Sequence, residues 1–265
     1  MSSSNPAGRL LVDEPAPHVA RLTISNPAKR GALDQSILDG FTTLMPQLEA
    51  RCVIITGEHR TFSAGYDIAD LPEGVFADEA ERFVAHPFAA AIDAVEAYPF
   101  PTLAALNGHT IGGGLELALS CDLRIAAEGV RLGMPPAKLG LVYSHTGIRK
   151  FIDAIGATRT RELFLVGARI DSETANMWGL VNSVAPTDRL ADVAVALASE
   201  IAANAPLAQR GNKHVINAVL EAESRISPSV ERELMQLRAQ CFSSEDFREG
   251  VRAFAEKRTP QWQGR

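Results

Sequence analysis

Three consecutive glycines, Gly112, Gly113 and Gly114, follow an apolar run and precede the helix-forming segment Leu115–Ser120. Glycines at such a junction expose main-chain N–H groups at the positive end of a helix dipole, with no side chain in a ligand's way. Such a place stabilises an anion. Glu116 stands three positions after Gly113, on the same face of the first helical turn, so its carboxylate lies near whatever the Gly113 N–H holds. Two structural alternatives stay open: the glycines also suit tight strand-to-helix packing, and the carboxylate also complements the dipole. A second small-residue segment, Phe62-Ser63-Ala64-Gly65-Tyr66-Asp67-Ile68, comes after another apolar strand and a polar turn. Its backbone can approach a ligand closely and turn one N–H toward the glycine site.

Other chemistries fail on spacing. The glycines at 108, 112, 113 and 114 give neither G-x-G-x-x-G nor a Gly-Lys-Ser/Thr ending, so nucleotide loops of those types are excluded. G-x-S-x-G is absent, and Ser144 and His145 are chain neighbours whose side chains normally diverge. His18, His59, His86, His109, His145 and His214 show no ligand spacing, so no metal is expected.

The elements that must position these residues alternate. Leu10–Asp13 and His18–Ser25 read as a hairpin around a proline-rich turn, and Asp34–Glu49 reads as a helix capped by Asp34. Cys52–Thr56, Thr102–Leu106 and Leu123–Ala127 read as strands, the first two as continuous apolar runs, with a helix from about Glu79 to Ala97 stopped by Pro99 and Pro101. Strand followed by helix, repeated, predicts an α/β fold. From Phe151 onward the pattern predicts helices: Thr158–Val166, Ser172–Trp178, Asp188–Ala203, Leu207–Glu221, Val230–Phe242 and Asp246–Lys257.

The chain has 265 residues, 46% hydrophobic and 22% charged, which fits a globular protein with a full core. Lys plus Arg total 26 against 32 Asp plus Glu, a net charge of −6 that repels polyanions, so nucleic acid is not an expected partner. No apolar run reaches the ~18 residues a membrane span needs, and Met1–Gly8 lacks a secretory apolar stretch. A soluble, cytoplasmic protein without membrane partners is expected. Cys52, Cys121 and Cys241 fit neither a disulfide framework nor a zinc site and are expected to be buried small apolar residues.

Taken together, two segments resemble the crotonase, or enoyl-CoA hydratase/isomerase, superfamily. Leu103-Ala104-Ala105-Leu106-Asn107-Gly108-His109-Thr110-Ile111-Gly112-Gly113-Gly114-Leu115-Glu116-Leu117, running to Cys121-Asp122-Leu123, resembles its signature, and Phe62 to Ile68 resembles its upstream motif. The similarity extends from about His18 to Lys257, including Gly179-Leu180-Val181 and Glu256-Lys257-Arg258. The resemblance implies a spiral of ββα units over residues 1–200, with a C-terminal helical trimerisation region over residues 201–265. It also implies an acyl-CoA thioester as the binding partner, no separate cofactor because CoA is part of the substrate, and a homotrimer or dimer of trimers. By position, the N–H groups of Tyr66 and Gly113 form an oxyanion hole around the thioester carbonyl, each donor supplying about 2.7–4 kcal/mol. Lys29, Arg30, Ala64, Tyr66, Asp67, Ile68 and Lys257 match places that contact substrate or CoA.

The resemblance also bears on the reaction. Hydratases of the family use two glutamates to position water and shuttle its protons. Glu116 matches the first, but Pro136 occupies the place of the second, and losing a positioned acid or base costs ~100-fold or more. Met134-Pro135-Pro136-Ala137-Lys138-Leu139-Gly140-Leu141-Val142-Tyr143 instead resembles the methylmalonyl-CoA decarboxylase branch, as does Ser244-Glu245-Asp246-Phe247-Arg248-Glu249-Gly250. Tyr143 matches that branch's active-site tyrosine, while Tyr66 replaces its histidine and Pro135 replaces a threonine. The structural alternative for Tyr143 is a buried ring with its hydroxyl satisfied by backbone. The expectation is a decarboxylase-like lyase on a small acyl-CoA, with Glu116 and Tyr143 managing the proton. The alternatives are a hydratase or isomerase using Glu116 alone, or a non-catalytic acyl-CoA binder.

Overall fold

A computed structural model of the chain describes residues 7–66, 86–223 and 226–265. Strands β1 (Arg9–Ala16), β2 (Val19–Ser25), β3 (Cys52–Gly57), β5 (Thr102–Leu106), β7 (Leu123–Ala127) and β10 (Ser183–Ala185) form one six-stranded sheet, ordered β1-β2-β3-β5-β7-β10. β1 and β2 are an antiparallel hairpin, and the remaining pairs are parallel. A second, four-stranded sheet takes β4 (Thr61–Ser63), β6 (His109–Ile111), β8 (Arg131–Gly133) and β9 (Arg169–Asp171) in that order. The three consecutive pairs β3–β4, β5–β6 and β7–β8 therefore each place their first strand in one sheet and their second in the other. Helices α2 (His86–Glu96), α3 (Gly113–Leu119) and α4 (His145–Arg161) follow those pairs, so the chain winds as the expected spiral of ββα turns.

Burial explains the strand sequences. β5 is buried at every position and β3 at all but one, which requires continuous apolar runs instead of alternation. Polar side chains register one turn of the spiral on the next. Asn107, just after β5, accepts from Gly57 N at 2.9 Å and donates to the His59 carbonyl at 2.9 Å. Asp122 accepts from Thr102 N at 2.7 Å and from Lys213 Nζ at 2.7 Å, tying a C-terminal helix to the sheet.

The remaining helices are α1 (Gln35–Leu44), α5 (Ser172–Met177), α6 (Leu190–Ala203), α7 (Pro206–Glu223), α8 (Pro228–Ser243) and α9 (Glu245–Glu256). α1 starts as expected, with the Asp34 side chain accepting from Ile37 N, but ends at Leu44 because Pro46 converts Met45–Gln47 to a 3₁₀ turn. Of the helix expected over 79–97, residues 79–85 lie outside the described residues. The C-terminal third is not wholly helical. β9 and β10, three residues each, are too short to show a period. The helix expected at Thr158 is the end of α4, which begins at His145 and is broken at Gly156 (φ 71°), followed by a π turn at Glu162–Val166. Cys52 and Cys121 are buried, and burial pushes both thiols up to about 12. Cys241 departs from expectation: it is half-buried and donates to the Gly140 carbonyl at 2.8 Å. Among the described residues no single helix is long and apolar enough to cross a membrane.

Each member of the glycine triplet meets a different constraint at the β6–α3 junction. Gly112 precedes α3 with φ 57° and ψ −126°, a conformation L-residues avoid. A Cβ on Gly113 would contact the Phe88 ring at 3.3 Å. A Cβ on Gly114 would fall 2.6 Å from Ser63 Cβ and 2.8 Å from Ser63 O, so α3 packs directly on the strand that leads into Ala64–Tyr66. Gly114→Ala is therefore expected to destabilise the protein by about 1–3 kcal/mol, read as a lower urea midpoint at unchanged slope.

Candidate active site

The segment after β4 is held by main-chain and hydroxyl hydrogen bonds that leave its glycine against the β6–α3 junction. Ser63 Oγ donates to the Gly31 carbonyl at 2.7 Å and accepts from Gly65 N at 3.1 Å. Ala64 N donates to the Arg30 carbonyl at 3.1 Å, and Leu33 N to the Gly65 carbonyl at 2.9 Å. Gly65 has φ 94°, and a Cβ there would lie 2.7 Å from Ile111 O and 3.2 Å from Gly113 N. Conversely, a Cβ on Gly113 would lie 3.5 Å from Tyr66 N. The two amide nitrogens singled out from sequence, 47 positions apart in the chain (66 against 113), are thus neighbours across a glycine-to-glycine contact. As the first residue of α3, Gly113 also carries one of the N–H groups that have no acceptor within a helix.

Glu116 is 4% exposed, and its carboxylate is hydrogen-bonded to the Tyr143 hydroxyl. The phenol is therefore satisfied by this carboxylate and not by backbone. Tyr143 is held from two sides. Its ring packs edge-on against Phe164 with centroids 5.6 Å apart, and Gly147 leaves room where a Cβ would fall 2.6 Å from Tyr143 Cε1 and 2.9 Å from Glu116 Oε1. Ser144 starts α4 by accepting from Gly147 N at 3.1 Å, which sets this glycine against the pair.

Burial raises the Glu116 carboxyl above its ordinary value. The Tyr143 hydrogen bond and the charges of Lys150 and Arg238 oppose the rise, and Glu96 adds to it. Burial, then the charge of Glu116, push the Tyr143 phenol well above 10. A carboxyl biased toward its acid form, bonded to a phenol that resists ionisation, is suited to passing a proton without leaving a stable phenolate.

All these groups face one open cleft of about 2540 Å³, lined by Tyr66, Gly113, Glu116 and Tyr143 among others. Lys29, Arg30 and Ala64 also line it, as do Pro135 and Pro136. Pro136 is buried and opens a short 3₁₀ turn, Pro136–Leu139. Lys257 stands apart from the cleft lining: it follows α9 in a left-handed conformation (φ 55°) and is exposed. Asp67 and Ile68 lie outside the described residues.

Sequence reasoning did not single out Phe88, Gly147, Lys150 or Arg238. Gly147 had one local signal, its place three residues after a helix-capping serine. Arg238 had none, because it reaches the cleft from a helix almost a hundred residues further along the chain.

A model of the enoyl-CoA hydratase/isomerase family matches residues 14–265. Among curated proteins, the chain is 34% identical over 254 residues to a 2,3-dehydroadipyl-CoA hydratase of Escherichia coli K12, covering 93% of this chain and 96% of that one. Among solved structures, it superposes on methylmalonyl-CoA decarboxylase in complex with 2-nitronate-propionyl-CoA with TM-score 0.88 at 27% identity, covering 97% of this chain and 99% of that one. An enoyl-CoA hydratase from Bacillus anthracis aligns with TM-score 0.76 at 31% identity, covering 97% and 100%. A two-sheet spiral, a glycine-lined contact between two main-chain amides and a family match over nearly the whole length agree, and the chain belongs to the enoyl-CoA hydratase/isomerase family.

Proposed function

We propose that the protein is a lyase that decarboxylates a small carboxylated acyl-CoA, of the methylmalonyl type, through a thioester enolate. The observation that carries this reading is the hydrogen-bonded Glu116–Tyr143 pair beside Gly113, in a cleft whose wall has Pro136 where a hydratase needs its second carboxylate. The thioester oxygen lies between the amides of Tyr66 and Gly113. As the bond from Cα to the carboxylate breaks, CO₂ leaves and the electron pair passes into the enolate, whose oxygen charge the two N–H groups stabilise. Tyr143 then gives its hydroxyl proton to Cα while protonated Glu116 returns one to the phenol oxygen. Glu116 regains a proton from solvent, so one proton is consumed per CO₂ released. Lys29 and Arg30 line the cleft, the Arg30 carbonyl accepting from Ala64 N, and supply positive charge for the CoA phosphates, and CoA enters as part of the substrate.

Hydration by Glu116 alone is the second reading, favoured by the hydratase named among the relatives. The helical C-terminal region joins copies of the chain into a homotrimer or dimer of trimers, supported by the exposed Leu207, Val215, Ile216 and Val219 of α7.

Purified protein is expected to release CO₂ from methylmalonyl-CoA, with Tyr143→Phe lowering kcat by ~100-fold or more at little change in KM. Rapid hydration of crotonyl-CoA without decarboxylation would reverse the assignment. Because burial raises Glu116 and the acid form is the reactive one, kcat should hold at low pH and decline as pH rises through a value above the ordinary carboxylate range. That alkaline limb should be absent from the residual activity of Glu116→Gln. In sedimentation velocity the protein should run as a trimer or hexamer; a lone 28.4 kDa species would reject the assembly.

A further inference from the structure

The loop from β2 into α1 grips the segment that precedes Tyr66, and a buried side chain holds that loop closed. Asn26 is 3% exposed. Its carbonyl accepts from Lys29 N at 3.2 Å and from Gly31 N at 2.8 Å, while its side-chain Nδ2 donates to the Ala32 carbonyl at 2.9 Å and to Asp34 Oδ2 at 3.3 Å. Asp34 is itself fixed, accepting from Gly8 N at 2.6 Å and capping α1 through Ile37 N. Both ends of the turn are therefore tied to one asparagine.

Between those ties Arg30 and Gly31 take positive φ, 54° and 68°. An arginine keeps left-handed backbone only where its surroundings hold it there. In this conformation two successive carbonyls meet the segment after β4: Arg30 O accepts from Ala64 N at 3.1 Å, and Gly31 O from Ser63 Oγ at 2.7 Å. A third link runs the other way, from Leu33 N to Gly65 O at 2.9 Å, and Leu33 pairs with Tyr66 as an isolated parallel bridge. A Cβ on Gly31 would lie 3.0 Å from Phe62 O, so loop and segment are in direct main-chain contact. The opposite side of the segment meets α3, where a Cβ on Gly65 would lie 3.2 Å from Gly113 N. Hydrogen bonds are directional, so a loop that relaxes takes its three partners with it.

We propose that Asn26 is a positioning residue for the amide pair: by closing the 26–33 loop it sets the Tyr66 amide against that of Gly113 without touching a ligand. The proposal rests on the thioester-enolate reading of the cleft and adds the residue that fixes its geometry.

The test reads the polarisation of a bound carbonyl. Propionyl-CoA with an isotopically labelled thioester carbonyl carbon has no carboxylate to lose, and its C=O band is followed by isotope-edited infrared spectroscopy on the full-length protein. In wild type the band is expected at lower wavenumber than in water, because the two amides draw charge onto the oxygen. Asn26→Ala should lose most of that displacement with the propionyl-CoA Kd held within about threefold, and kcat on methylmalonyl-CoA should fall about 10- to 100-fold at little change in KM. A band displaced as in wild type, with unchanged kcat, overturns the proposal while the amide pair stands. Should Asn26→Ala fail to fold, as its thermal midpoint would show, Ser63→Ala cuts one link and leaves Asn26 in place: a weakened displacement there supports the proposal, and a full one overturns it. A wild-type band that does not move, or no binding at all, removes the enolate reading and the proposal with it.

Discussion

Two stretches of main chain, Gly65–Tyr66 and Gly112–Gly113, meet without a side chain between them, and the proposed chemistry depends on that approach. A Cβ on Gly65 would lie 2.7 Å from Ile111 O, and one on Gly114 would lie 2.6 Å from Ser63 Cβ, so neither glycine can be enlarged without parting the strands. The spiral supplies the setting. β4 and β6 are parallel neighbours in the small sheet, so their C-terminal ends emerge side by side and deliver both amides to the same place. On the proposed function, preset amides would need little reorganisation when charge develops on a thioester oxygen.

The carboxyl and phenol attached to this device follow a different logic. Glu116 comes with α3, one turn beyond Gly113, and inherits its position from the glycine junction. Tyr143 comes from a later unit and is held by packing against Phe164 and by the room that Gly147 leaves. Burial is the main cause that raises both groups, so each favours its protonated form more than it would in water.

Much of this arrangement could be read from residue order, for identifiable reasons. β5 was legible to the residue because a fully buried strand demands an unbroken apolar run, and Asp34 was legible as a cap because its side chain replaces a missing helical partner. The contact of Tyr66 with Gly113 was only hinted at by the small residues around Tyr66 and was fixed by resemblance, since nothing in either segment encodes the other's location. β9 and β10 escaped because three residues cannot show a period, and α4 was placed too late because Gly156 interrupts it. Arg238 and Gly147 escaped because their significance is a matter of which distant groups they face.

The bond from Cys241 to the Gly140 carbonyl joins the end of α8 to the loop that follows Pro136. The amides of Tyr66 and Gly113 are in place by residue 113, whereas α8, within the last forty or so residues, adds Leu234, Arg238 and Phe242 to the same cleft. On the proposed function, enolate stabilisation and acyl recognition would thus be encoded in separate stretches of the gene. On that reading, variation in the tail would retune which thioesters are accepted while the amide pair stays untouched, a modular route to new substrates within one scaffold.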